Sequence, residues 1–292
     1  MTDLIISIAE QGLIYAVMAL GVYITYKILD FPDLSVDGTF PLGAAVTAAL
    51  ITHGVNPWYC LLASAAAGAV AGCITGILNV KLKIKDLLSG ILMMTALYSI
   101  NYRIVGAPNL FLMGEKTIFS SFEFLGIYRY VIVTAVIVIV IKYLLDWYLR
   151  TKSGFLVRCS GDNEGLVITL GKNPGTFKII ALAIANSLSS LAGALNCQRF
   201  MQFDISSGTG TIVMGLAAVI IGTAVFPKAK FIRTTTSVVF GMIIYKLCIS
   251  LALKLGLMAS DTNLVVTILF VLTLIASGAI KKSGTKSIGK DK

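Results

Sequence analysis

Residues 31–46 read Phe31-Pro-Asp-Leu-Ser-Val-Asp-Gly-Thr-Phe-Pro-Leu-Gly-Ala-Ala-Val46, and far downstream Phe203-Asp-Ile-Ser-Ser-Gly-Thr-Gly-Thr-Ile-Val-Met-Gly-Leu-Ala-Ala-Val219 restates the same order. Both run Asp-[Leu/Ile]-Ser, then Gly-Thr, then Gly and Ala-Ala-Val, so Asp33-Leu34-Ser35 corresponds to Asp204-Ile205-Ser206 and Gly43 to Gly215. Each copy follows a long apolar run and breaks it with residues that end one helix and start another. A fold built from two related halves is the first expectation.

The setting of both copies is apolar. Of 292 residues, 57% are hydrophobic and 13% charged, with a mean hydropathy of +0.89; an average soluble domain carries about 25% charged residues. In water such a chain would leave too much apolar surface exposed, and the same composition excludes disorder, collagen and a disulfide-rich secreted scaffold. It reads as an all-α integral membrane protein. Cys60, Cys73, Cys159, Cys197 and Cys248 show no C-x-x-C spacing and are expected as buried free thiols. The start, Met1-Thr-Asp, lacks the basic region of a secretory signal, so the first apolar run is expected to be a retained span.

A span needs about 20 mostly apolar residues. Candidates lie near 4–29, 39–53, 57–80, 87–106, 128–148, 179–197, 211–226, 235–255 and 262–280, about nine in all, with those at 39–53 and 211–226 short. Each is read as a helix, because open sheet edges do not survive in hydrocarbon and no alternating barrel pattern is present. Basic residues alternate across the connections. One side collects Lys27, Lys81, Lys83, Lys85, Lys142, Arg150, Lys152, Arg158, Lys172, Lys178, Lys228, Lys230, Arg233 and the C-terminal lysines, eighteen of the 24 Lys and Arg. The other side has Arg103, Lys116, Arg129, Arg199 and Lys254, and Lys246 falls inside a span. The positive-inside rule then sets the N-terminus outside and the C-terminus in the cytoplasm. The net charge of +10 is thereby a topology signal, with no nucleic-acid partner implied. With an odd number of spans between them, the two copies are expected to be inverted, an arrangement that points to a transport pathway where short, interrupted segments match.

Asp30, Asp33, Ser35, Asp37 and Thr39 in the first copy, and Asp204 and Ser206 in the second, are candidate pathway residues, since carboxylates at membrane depth are costly and face protein or water. The alternative is a surface turn in which Asp33 or Asp37 caps the following helix, with Asp204 an external-rim cap. Asn186, with Ser187, Ser189 and Ser190, lies in the sixth span, where small polar residues pack helices closely or line a route. Asn196 and Gln198, at its outer end, are candidates for the pathway mouth. The outer loop 107–127 reads as an interfacial helix or re-entrant piece. His53 is a solvated loop residue without metal-ligand partners nearby.

The longest polar excursion on the basic side is Leu149-Arg-Thr-Lys-Ser-Gly-Phe-Leu-Val-Arg-Cys-Ser-Gly-Asp-Asn-Glu-Gly-Leu-Val-Ile-Thr-Leu-Gly-Lys-Asn-Pro-Gly-Thr-Phe-Lys178. Within it, residues 163–170 form a short amphipathic helix candidate, with Asp162 or Asn163 as N-cap and Gly171 as its stop. Its acidic edge at Asp162, Asn163 and Glu164 argues for a protein partner over a lipid surface.

Thr151, Gly154, Arg158, Gly161 and Asn163, followed by Leu170-Gly171 and then Leu191-Ala-Gly-Ala-Leu195, resemble the permease family for branched-chain amino acids and ribose, the membrane subunits of ATP-binding-cassette importers. Gln11-Gly-Leu-Ile-Tyr-Ala-Val-Met-Ala-Leu-Gly21, Asp33-Leu-Ser35 and Gly215-Leu-Ala-Ala-Val-Ile-Ile-Gly222 are similar to further segments of that family, although Thr223 stands where it usually has a second glycine. Residues 30–43 resemble the subgroup regarded as importers of tryptophan or other aromatic amino acids.

The resemblance implies that Arg158, Gly161, Asp162, Asn163, Glu164, Gly165, Leu170 and Gly171 form a coupling segment seated in a groove of a cytoplasmic ATPase. It also implies an extracytoplasmic substrate-binding (lipo)protein, a homodimer in the prokaryotic plasma membrane, and ATP with magnesium on the ATPase and no cofactor here. The chain agrees in lacking a G-x-x-x-x-G-K-[ST] phosphate loop. One permease domain over 1–280 is expected, with halves at about 4–106 and 179–280 and the coupling loop at 149–178. The basic tail 281–292 is expected near anionic lipid. The competing readings are an ion-gradient-driven transporter, prompted by the three aspartates, and an importer of a sugar or nucleoside. A membrane enzyme has no nucleophile–base pair or metal cluster to support it.

Overall fold

The structure, a computed structural model, describes residues 2–225, 233–254, 267–268 and 271. The expected last span at 262–280 and the tail 281–292 lie outside this described set, apart from its fragments at 267–268 and 271. The described residues are mostly helical. Helix α1 (Thr2–Val22) continues into a π-helical turn (Tyr23–Ile28), followed by α2 (Val36–Thr52), α3 (Pro57–Val80) and α4 (Asp86–Val105). A strand β1 (Asn109–Phe111) and a 3-10 stretch (Ile118–Tyr128) lead to α5 (Arg129–Tyr148), α6 (Lys152–Asp162), α7 (Glu164–Thr169) and α8 (Pro174–Phe200). Strand β2 (Gln202–Asp204), a 3-10 turn (Ile205–Gly208), α9 (Thr211–Val225) and α10 (Thr234–Lys254) complete it.

Eight of the nine apolar runs therefore coincide with helices. Among the described residues, six helical stretches have the length and hydropathy to cross a membrane: Ile6–Ile28, Pro57–Val80, Ile118–Tyr148, Pro174–Phe200, Ile205–Val225 and Thr234–Ala252, with Val36–Thr52 a shorter apolar helix. Within the segment 107–127, read as an interfacial helix or re-entrant piece, Asn109–Phe111 pairs antiparallel with Gln202–Asp204 ahead of the 3-10 stretch. Periodicity could not signal a ribbon of three-residue strands whose partners lie so far apart in sequence.

Local chemistry sets several helix starts. Asn-Pro opens both α3 and α8: the Asn56 and Asn173 side chains accept from the Trp58 and Gly175 amides at 3.0 and 2.9 Å, and proline fills the first helical position. Pro41 sits inside α2, where it has no N–H to give the Asp37 carbonyl. Gly208 packs against that carbonyl and the Pro41 ring, a place that a Cβ would fill.

Glycine carries the helix packing, as it does where lipid offers no hydrophobic drive to associate. Gly68, Gly72 and Gly76 set one face of α3 against α8 at Ser190, Leu182 and Ile179, which makes the two helices antiparallel. Gly12 of α1 meets Ile243 of α10, and Gly222 of α9 meets Ser237 of α10. Helix α3 thus packs on α8, and α10 on α1. The same turn also precedes α2 and α9: Asp33 Oδ1 accepts from the Ser35 amide at 2.9 Å, and Asp204 Oδ1 from the Ser206 amide at 2.8 Å. Gly193 of α8 lies directly on the Phe40 carbonyl of α2. Gly193→Val should overpack this crossing by about 1–3 kcal/mol, read as an earlier loss of the monodisperse peak on heating in detergent; an unchanged profile would mean that the contact is slack.

Candidate functional site

Around the first copy of the repeat, buried polar groups converge. Asp33 is 1% exposed, and Ser35, Thr39 and Asn186 are fully buried. The Asn186 side-chain amide donates to Asp33 Oδ2 at 2.8 Å, while the Ser35 and Thr39 hydroxyls donate to Asn186 Oδ1 at 3.0 and 2.9 Å. Asn186 is twelve residues into α8, about 18 Å along it at 1.5 Å per residue. Asp33 therefore lies well inside the helical body. It does cap locally, through Ser35, but it also ties the break after α1 to the middle of α8.

Asp37 does something that neither sequence reading anticipated. It lies in the first turn of α2, yet its carboxylate caps α9: Oδ1 accepts from the Ile212 amide at 2.8 Å and the Thr211 hydroxyl at 2.9 Å, and Oδ2 from the Gly210 amide at 3.0 Å. Two short helices thus begin side by side with their positive ends adjacent, and one carboxylate answers the free N–H groups of the second. From this point α2 runs to the C-terminal end of α8, where Ile51 clusters with Cys197 and Phe203. Helix α9 runs the other way, to Gly222 against Ser237, near the Asp146 carboxylate that holds Thr235 and Arg233 at 2.7 and 2.8 Å.

Asp30 is apart from this network, exposed and with φ of 53°. Asn196 and Asp204 lie beyond it on another cavity, at the C-terminal end of α8, and Ser206 is exposed, donating to Asp204. The nine proposed pathway residues therefore divide into a lock (Asp33, Ser35, Asp37, Thr39, Asn186), an outlier (Asp30) and a rim group (Asn196, Asp204, Ser206). Sequence reading missed Asn101, whose buried amide donates to the Gly38 carbonyl at 3.1 Å. It also missed the ion pair of Glu10, 3% exposed, with Arg199, whose guanidinium lies 3.8 Å from the Tyr130 ring centroid. Glu10 is legible as a carboxylate in an apolar run. Among the described residues no group of three His, Cys, Asp or Glu is arranged to hold a metal ion.

The loop 149–178 folds as two helices instead of one. Thr151 caps α6, its hydroxyl accepting from the Gly154 amide at 3.2 Å, and Asn163 caps α7, accepting from the Leu166 amide at 3.2 Å. Gly171 ends α7 at φ of 70°, with its amide bonded to the Ile168 carbonyl at 2.9 Å, the left-handed stop that glycine permits. Val167 is buried, whereas Leu166, Ile168 and Leu170 are 43%, 61% and 52% exposed. Arg158, Asp162, Asn163, Glu164 and Gly165 are exposed as well, with Glu164 paired to Lys178 at 2.5 Å. Gly161 packs on the Ile28 carbonyl and Leu29, immediately before the Asp30–Asp33 break. A displacement of α6 therefore bears directly on the segment that positions Asp33.

Residues 4–277 match the family described as branched-chain amino acid transport system, permease component. The chain is 41% identical to the tyrosine transport system permease protein of Clostridioides difficile over 290 residues, 98% of this chain and 96% of that one. A Rickettsia prowazekii protein is 31% identical over 277 residues, 93% of this chain and 97% of its own. The ribose import permease protein of Escherichia coli is 29% identical over 221 residues, 74% and 68% of the two chains. No solved structure matches the chain.

Proposed function

This chain belongs to the branched-chain amino acid transport permease family, the multi-pass membrane subunits of ABC importers, and from that premise we propose that its own substrate is an aromatic amino acid. The observation that carries the substrate class is end-to-end similarity to a tyrosine permease, against a shorter and weaker match to ribose permeases. An importer for a sugar is the second reading, and that weaker match is its support. The chain receives solute from an extracytoplasmic binding protein and passes it to the cytoplasm, while a separate ATPase hydrolyses ATP with its magnesium.

In this reading α7 is the coupling helix. Leu166, Ile168 and Leu170 enter a groove of the ATPase, Asp162 and Glu164 lie at its edge, and Asn163, Gly165 and Gly171 shape the knob. Arg158 flanks it and Gly161 passes its motion to Ile28–Leu29. The N-terminus then lies outside and the α6–α7 face is cytoplasmic, in keeping with the basic residues gathered there. The single domain over 1–280 comprises two inverted halves, and a homodimer with lipid around it is the working unit. Helices α2 and α9, starting together and diverging, are the interrupted pair that such transporters place at their pathway.

Import by the assembled importer in proteoliposomes tests the substrate. Labelled tyrosine should enter and be displaced by excess phenylalanine or tryptophan but not by ribose. Ribose uptake without tyrosine uptake would establish the second reading.

A further inference from the structure

Beyond the lock, at the C-terminal end of α8, a cavity of about 260 Å³ is lined by residues that include Tyr15, Asn196, Phe200, Gln202, Asp204 and Ser207. Its polar groups are chemically biased. Asn196 Oδ1 and Ser207 Oγ are buried without hydrogen-bond partners among the described residues. Asp204 spends Oδ1 on Ser206, amide at 2.8 Å and hydroxyl at 2.7 Å, and Oδ2 has no partner among the described residues. Three residues that each carry such an oxygen thus line one small space. Buried oxygens left without donors are unfavourable, so such a cavity favours an occupant that brings N–H groups.

The apolar wall is aromatic. Tyr15 stacks on Phe40 with centroids 5.4 Å apart, and Lys246 Nζ lies 3.8 Å from the Tyr15 ring centroid. Lys246 is the one basic residue that the charge alternation left inside a span, and no carboxylate pairs with it among the described residues.

We propose that this cavity is a transit site for the substrate, in which the α-ammonium of an aromatic amino acid is held by Asp204 Oδ2, Asn196 Oδ1 and Ser207 Oγ, its ring rests by Tyr15 and Phe200, and Lys246 is the charge complement of its α-carboxylate. An ammonium has three donors for the three acceptors, and a sugar hydroxyl offers no charge for Asp204. The inference rests on the aromatic amino-acid reading and adds to it a place and an orientation.

Asp204→Asn is the decisive variant, because asparagine keeps an Oδ1 acceptor for the Ser206 amide while replacing the charged Oδ2 acceptor with a neutral amide donor. In the assembled importer with saturating binding protein, tyrosine import should fall by about tenfold or more, the loss of one charge-assisted hydrogen bond, while ATP hydrolysis stimulated by the binding protein stays at the wild-type rate. Ser207→Ala breaks no hydrogen bond among the described residues and should lower import by a few-fold. Wild-type import by Asp204→Asn would overturn the site, as would parallel loss of import and ATP hydrolysis, which would put Asp204 in assembly. Failure of the wild-type importer to carry any aromatic amino acid would instead overturn the substrate reading, and this site with it.

Discussion

Asp37→Ala is expected to be the most damaging single change to the fold. It leaves the Gly210 and Ile212 amides and the Thr211 hydroxyl without their acceptor at the start of α9. A lost N-cap and the stranded donors together cost roughly 3–5 kcal/mol, a large part of a typical stability of about 5–15 kcal/mol. For a chain of this size that lowers the unfolding midpoint by roughly 10 °C or more, measured as the loss of monodisperse protein with temperature in detergent. Asp37→Asn keeps an acceptor and should fall between the two. A midpoint for Asp37→Ala equal to wild type would mean that water or lipid replaces the carboxylate, and that α2 and α9 are not held together by it.

The second large effect is on coupling. Leu166 and Ile168 are 43% and 61% exposed, while Val167 between them is buried. Aspartate at both exposed positions should leave the permease melting as before, yet remove apolar contact worth about 3 kcal/mol from the docked knob, or roughly 100-fold in affinity for the ATPase. Import should collapse and the ATPase should no longer co-purify. Val167→Asp should fail differently, by unfolding the segment that Gly161 ties to Ile28–Leu29. If the double variant keeps full import, α7 is not the coupling element.

Much of this was readable before any coordinate. Apolar runs located the helices because a span must satisfy its own backbone and shows its length directly. The α7 cap and stop were legible from Asn163 and Gly171, since capping is local chemistry. The two Asp–Ser segments that the sequence pairs fold into turns with the same hydrogen bond. What sequence could not supply was reach. The three aspartates at 30, 33 and 37 look alike in the chain, yet one is exposed, one is tied to α8 and one caps a helix that begins at Thr211. The bond from Asp37 to α9 spans most of the chain, and no spacing rule records it. Nor does any rule bring Asn196, Asp204 and Ser207 to one cavity, because their meeting depends on the return of the chain after α8.

This chain is expected to move solute only when an ATPase drives it from the α6–α7 face. Proteoliposomes containing the chain with its ATPase and binding protein should accumulate tyrosine on addition of ATP and magnesium, and liposomes containing the chain alone should accumulate none under a proton or sodium gradient. Gradient-driven accumulation by the chain alone would instead make it an ion-coupled transporter.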